Sequence, residues 1–220
     1  MSFSTKAKKY FLNLRTPSIL TNGIEVINPY KLPDVRKAVG NFYNKFYNDD
    51  KKRIYMIGIN PGRFGGGLTG IAFTDPAALR EHCGIENSLG ERKELSSKFI
   101  YEMIAAFGGV EEYFSKVFMT ALFPLALTHR GRNFNYYDDK KLFNSLKPEI
   151  KKSLETQILF GSKKEKVVIL GKKNAEYFRL INDELKFFVK IIVLNHPRFI
   201  MQYRQRSMKD YVNSYIRAIN

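Results

Sequence analysis

Tryptophan is absent from this 220-residue chain, cysteine occurs once and histidine three times. Cys83 alone cannot close an internal disulfide, and one Cys with three His does not supply a structural zinc site, so no metal is expected. No apolar run reaches the roughly 18 to 20 residues that a membrane helix needs. The most apolar stretch, residues 117–127, is interrupted by Thr120 and Pro124. The first sixteen residues carry Lys6, Lys8 and Lys9 but no apolar run of signal-peptide length. The expectation is a cytoplasmic, intracellular protein with no membrane partner. Acidic residues are also scarce: 21 Asp and Glu stand against 37 Lys and Arg, a net charge of +16. Such an excess suits a polyanion, nucleic acid first, because log-affinity rises with the number of phosphates neutralised. A compositional bias toward lysine gives the same total, so charge alone names no partner.

With 44% hydrophobic and 14% aromatic residues, the chain can bury a sizeable core. Four runs, residues 54–59, 117–123, 166–170 and 190–194, are β-branched or aromatic and bounded by Gly, Pro or Asn, as buried parallel strands are. Helical spacing predicts helices over 33–47, 97–107, 148–160, 173–185 and 201–219. The alternation of the two predicts a parallel four-stranded sheet between helical layers, an α/β/α sandwich, in one domain over 1–220. Residues 1–50 are expected to be a helical segment packed on the sheet. In such a sheet, ligands bind beyond the carboxyl ends of the strands.

Those ends are unusual. Six of the fifteen glycines fall between 58 and 70, in a loop that starts Gly58-Ile59-Asn60-Pro61-Gly62-Arg63-Phe64. Glycines let backbone approach a phosphate or a flat base. Gly65-x-Gly67-x-x-Gly70 matches a dinucleotide fingerprint by letter but lies well past its strand, and Leu68 stands where a P-loop requires Lys. The last strand ends at Asn195-His196-Pro197-Arg198-Phe199, where a strand-end His can donate to a developing oxyanion. The second strand runs into Thr128-His129-Arg130-Gly131-Arg132-Asn133, read as a basic loop.

Taken together, these segments resemble the uracil-DNA glycosylase superfamily, and within it a bacterial side branch of the single-strand-selective monofunctional uracil-DNA glycosylases. The similarity rests on Asn60-Pro61-Gly62, Phe64-Gly65, Thr69-Gly70 and Phe73, on Arg80 to Ile85, on Phe123-Pro124-Leu125 with Gly131-Arg132-Asn133, and on His196-Pro197. It implies an enzyme that flips uracil, or a modified pyrimidine, out of single- or double-stranded DNA. The base is hydrolysed off without strand cleavage, leaving an abasic site in base excision repair. Asn60 and His196 are the implied catalytic pair: Asn60 aims a water at C1′, and His196, a neutral donor at uracil O2, contributes about 3 to 4 kcal/mol. Ile59, Gly62, Phe64 and Phe73 would surround the base, Phe73 either stacking on it or packing in the core. Arg198, Phe199, Ile200 and Met201 have the chemistry of a wedge entering the base stack. Arg63, Arg130, Arg132, Arg204 and Arg206 would grip phosphates. No cofactor and a monomeric state are expected.

Two positions depart from the family pattern. Arg198 follows Pro197 directly, without the usual Ser-Pro between them. Ala121 stands where the family carries a uracil-reading Asn, which leaves Thr120, Asn133 or backbone to read the Watson–Crick edge. A mismatch-specific uracil/thymine glycosylase shares Gly58-Ile59-Asn60-Pro61-Gly62 but lacks the His-Pro turn. A catalytically silent nucleic-acid-binding protein of the same fold would bind DNA and release no base.

Overall fold

A computed structural model describes residues 1–18 and 23–220. In chain order the elements are α1 (Phe3–Phe11), β1 (Ile24–Ile27), α2 (Pro33–Tyr47), β2 (Arg53–Gly58), α3 (Gly66–Thr69), α4 (Pro76–Glu81), α5 (Leu95–Phe107), α6 (Val110–Lys116), β3 (Val117–Ala121), β4 (Ala126–His129), β5 (Arg132–Phe134), α7 (Lys140–Ile158), β6 (Ser162–Leu170), α8 (Lys172–Leu185), β7 (Lys190–Leu194), α9 (Pro197–Tyr203) and α10 (Met208–Ile219). No helix among the described residues is long and apolar enough to cross a membrane.

Four strands form an all-parallel sheet in the order β3-β2-β6-β7. Every residue of β2 and β3 is buried, the pattern of strands covered on both faces. The chain leaves β2 for β3 on one side and later crosses to β6 on the other. The end of β2 is therefore the topological switch point, where open α/β sheets bind ligands.

Two helices and one loop differ from expectation. The α7 helix begins eight residues before the expected start at 148, because Asp139 caps it by accepting from Leu142 N at 2.7 Å. Pro148 lies inside it on an exposed turn, where water can satisfy the carbonyl that proline leaves unpaired. The helix expected over 201–219 is two: His196 caps α9, Pro197 opens it, and a 3-10 turn at Gln205–Ser207 separates it from α10. The segment read as a basic loop is a hairpin, β4 and β5, turning at Arg130 (φ 50°) and Gly131 (φ 69°).

The N-terminal segment is not purely helical either. Its strand β1 pairs antiparallel with β4 from Ile24↔His129 to Ile27↔Ala126, completing a second sheet β1-β4-β5. The part of the helical expectation that falls on 19–22 lies outside the described residues. Behind the glycine loop, Tyr30 donates to Gly70 O at 2.8 Å. Gly70 (φ +73°) fits closely against Tyr30, Val35 and Val39, leaving no room for a Cβ. An aromatic cluster of Phe3, Tyr47, Phe114, Phe118 and Phe160 joins α1 and α2 to the sheet. Within it the fully buried Arg53 stacks on Tyr47 at 4.7 Å and Phe3 at 4.9 Å. Its guanidinium donates to both Asp49 carboxylate oxygens (2.8 and 2.9 Å) and to the carbonyls of Phe114, Lys51 and Phe46.

Candidate active site

A cleft of about 750 Å³ opens at the switch point, a volume ordinary for a small-ligand site. Ile59, Asn60, Gly62, Arg63 and Phe64 line it from the loop after β2, and Phe73 from the turn that follows α3. Ala121 contributes from the end of β3, Arg132 and Asn133 from β5, and His196, Arg198 and Phe199 from the start of α9. Segments some 140 residues apart in sequence thus share one concavity.

The Asn60 side chain is fixed at both ends by the strand returning from the hairpin. Its amide nitrogen donates to Phe134 O at 3.0 Å, and its oxygen accepts from Tyr136 N at 3.2 Å. A carboxamide oxygen has two lone pairs, so one remains for a water.

His196 is held as firmly. As the cap of α9, its Nδ1 accepts from Arg198 N at 3.2 Å. Nδ1 is thereby an acceptor, so the neutral ring carries its proton on Nε2. Burial, and then the neighbouring Arg198 cation, lower the imidazole pKa to about 4. A histidine titration followed by NMR should give a midpoint near 4 for His196; a midpoint near 6.5 would mean that the ring is not desolvated.

Phe73 lies beside His196, ring centroids 5.8 Å apart, with its backbone at φ 56°. This left-handed conformation costs a residue with a Cβ about 1 to 2 kcal/mol. Thr69 offsets it by accepting from Ile71 N at 3.1 Å and donating to Thr74 O at 2.6 Å, which closes the turn around Phe73. The ring lies flush on Gly58, where a Cβ would meet Phe73 Cζ at 2.5 Å. Phe73 is half-buried and faces the cleft, so it is available to a base.

Several expected site residues lie elsewhere. Thr120 points to the opposite side of β3 from Ala121 and donates to Gln157 Oε1 at 2.5 Å on α7, so it cannot reach a base in the cleft. Ile200 (0% exposed) and Met201 (5%) are core residues under α9, not a wedge. The exposed apolar group there is Phe199, with Tyr203 against it at 5.5 Å and Arg204 over its ring. Pro197 at the first helical position puts residues 198, 199, 202 and 203 on one face and 200 and 201 on the other, a signal already present in the sequence. Arg63, Arg132 and Arg198 line the cleft; Arg130, Arg204 and Arg206 are exposed outside its lining. Arg63 and Arg92 both sit over the Phe64 ring, at 4.3 and 4.8 Å. Asn133 lines the cleft and accepts from Arg63 N at 3.1 Å, and its amide nitrogen lies beside Gly62 of the glycine loop.

Glu94, Gln202, Tyr203 and Asn135 also line the cleft and were not anticipated. Among the described residues no group of three or more His, Cys, Asp or Glu side chains could hold a metal ion.

The model of the uracil DNA glycosylase superfamily matches residues 45–220. No curated protein matches the chain. Among solved structures, the chain is similar to wild-type SMUG2 of Pedobacter heparinus, at 40% identity and a TM-score of 0.95, over 99% of this chain and 97% of that one. Together with a cleft at the switch point of a four-stranded parallel sheet, these matches show that the chain belongs to the uracil-DNA glycosylase superfamily and fits its single-strand-selective monofunctional branch.

Proposed function

We propose that the protein is a monofunctional glycosylase that extrudes uracil from DNA and hydrolyses its N-glycosidic bond, leaving an abasic site for base excision repair. The observation that carries this reading is the pairing, across one cleft, of a clamped Asn60 amide with a His196 ring whose Nδ1 is already engaged. The first holds a water with its free lone pair. The second keeps a neutral Nε2–H for uracil O2, where negative charge develops as the bond breaks. A cationic ring is not needed, and the low His196 pKa favours the neutral one.

Phe73 stacks on the extruded base, and Phe199 with Tyr203 enters the gap that the base leaves, since both are exposed on the cleft side of α9. With Ala121 lacking an amide and Thr120 turned away, the Asn133 N–H groups and backbone amides of the glycine loop read the carbonyl edge. Lyase chemistry needs a free amine. The one lysine among the described residues lining the cleft, Lys93, is exposed and bonded to Glu81 at 2.8 Å, which supports simple hydrolysis.

Incubation with uracil-containing oligonucleotides, single-stranded and G·U-paired, followed by alkaline cleavage, tests the reading. The expected result is alkali-dependent strand breaks at uracil and none before alkali. Salt-sensitive binding without base release would instead identify the silent nucleic-acid-binding protein.

A further inference from the structure

The proton of the attacking water must go somewhere, and the two groups of the catalytic pair cannot take it. Asn60 is a carboxamide, which does not accept a proton near neutral pH. The only basic nitrogen of neutral His196, Nδ1, is occupied by Arg198 N–H. The remaining polar side chains lining the cleft are Arg63, Lys93, Ser96, Arg132, Asn133, Asn135, Arg198, Gln202 and Tyr203, plus one carboxylate, Glu94.

Glu94 caps the start of α5, its backbone N–H fixed by Asp75 at 2.7 Å. Its carboxylate is folded into the concave side of the glycine loop. A Cβ at either Gly62 or Gly65 would overlap the two carboxylate oxygens. A side chain at Gly62 or Gly65, two and five residues past Asn60, would therefore have to displace the Glu94 carboxylate. Among the described residues no hydrogen bond reaches this carboxylate. Among the described residues every fully buried side-chain polar atom does have a partner, so the Glu94 oxygens open onto the cleft.

We propose that Glu94 is the base of the reaction. Its ionised carboxylate takes a proton from the water held by Asn60 and sets negative charge near the sugar as positive charge develops there. The C1′–N bond breaks with its electron pair leaving on the base. The water oxygen forms the new C1′–O bond, and the proton it sheds passes to Glu94 and then to solvent. This role rests on the glycosylase reading above. Burial raises the Glu94 pKa, with Asp75 adding to the rise and Arg198 opposing it. Of the charged groups near it, Arg198 acts on it from α9 and Asp75 from the start of α4, while Lys93 and Arg63 share the cleft but are engaged by Glu81 and the Phe64 ring. None of these three cations donates a hydrogen bond to it.

Glu94→Gln and Glu94→Ala, assayed on uracil in single-stranded DNA under single-turnover conditions with DNA affinity measured separately, test the assignment. Gln fills the same space, so a positioning role would survive it. The expected result is at least a tenfold slower E94Q at pH 7.5, with affinity unchanged or tighter because a negative charge has left a DNA-binding cleft. The wild-type rate should fall on acidification with a midpoint above the ordinary Glu value, and E94Q should lack that limb. If E94Q matches wild type in rate and pH profile, or only E94A is slow, Glu94 merely shapes the loop and the proposal is overturned while the glycosylase reading stands. If wild type releases no base, both fall together.

Discussion

Asn60→Ala should slow uracil excision by a factor of about 100 to 1,000, and His196→Ala by a similar factor, without loss of DNA binding. The two act on one transition state, so the double variant should be less impaired than the product of the single losses. Asn60→Asp is the sharper variant. A carboxylate could in principle accept the water's proton, but at this position one oxygen would face Phe134 O, which now receives the Asn60 N–H at 3.0 Å. That lost donor and the added repulsion should leave Asn60→Asp slower than wild type. A faster Asn60→Asp would mean that residue 60 is not clamped in the working enzyme and that no other group is needed as base. Single-turnover rates of abasic-site formation, set beside affinities from filter binding, separate these outcomes.

The largest effect on stability should come from Arg53. Its fork makes five hydrogen bonds while two aromatic rings cover it, and burial leaves it no water to fall back on. Arg53→Met keeps much of the volume but strands carbonyls of Phe46 and Phe114, and should cost about 3 to 5 kcal/mol. Arg53→Lys should recover little, since a single ammonium cannot reproduce a planar fork. The hydrogen bonds from Arg53 hold the Asp49 carboxyl below its ordinary range. A depressed folded-state pKa gives stability that is present above the unfolded value and lost as pH falls through the folded one. The gap between wild type and Arg53→Met, read from urea midpoints, should therefore narrow in strong acid. A gap that stays constant down to pH 2 would assign the whole effect to packing.

The sheet and the motif-bearing loops were legible because their signals are local. β7 begins and ends at the residues its β-branched run marks, and the α2 boundaries follow from Pro33 and the helical spacing behind it. What was hidden depends on distant partners. The hairpin at β4 and β5 reads as a polar loop because its partner strand β1 lies about 100 residues earlier. Glu94 looks like one more acid in the charged run 91–94; only folding carries it against Gly62 and Gly65. Thr120 and Ala121 are adjacent letters on opposite faces of one strand, so period-two alternation says one of them must miss the cleft without saying which. Ile200 and Met201 share a run with Arg198 and Phe199, but a helix opening at Pro197 turns those two inward.

The family signature starts at residue 45, yet the scaffold behind the cleft starts earlier. β1 ties down the hairpin whose next residues grip Asn60, and Tyr30 braces the far end of the glycine loop. A chain trimmed to its recognisable portion would keep each named motif residue and lose the struts that hold two of the motifs in register. The stretch ahead of the signature is therefore part of what holds the cleft together. Relatives that look truncated at this end should be sought for a substitute brace before they are counted as active.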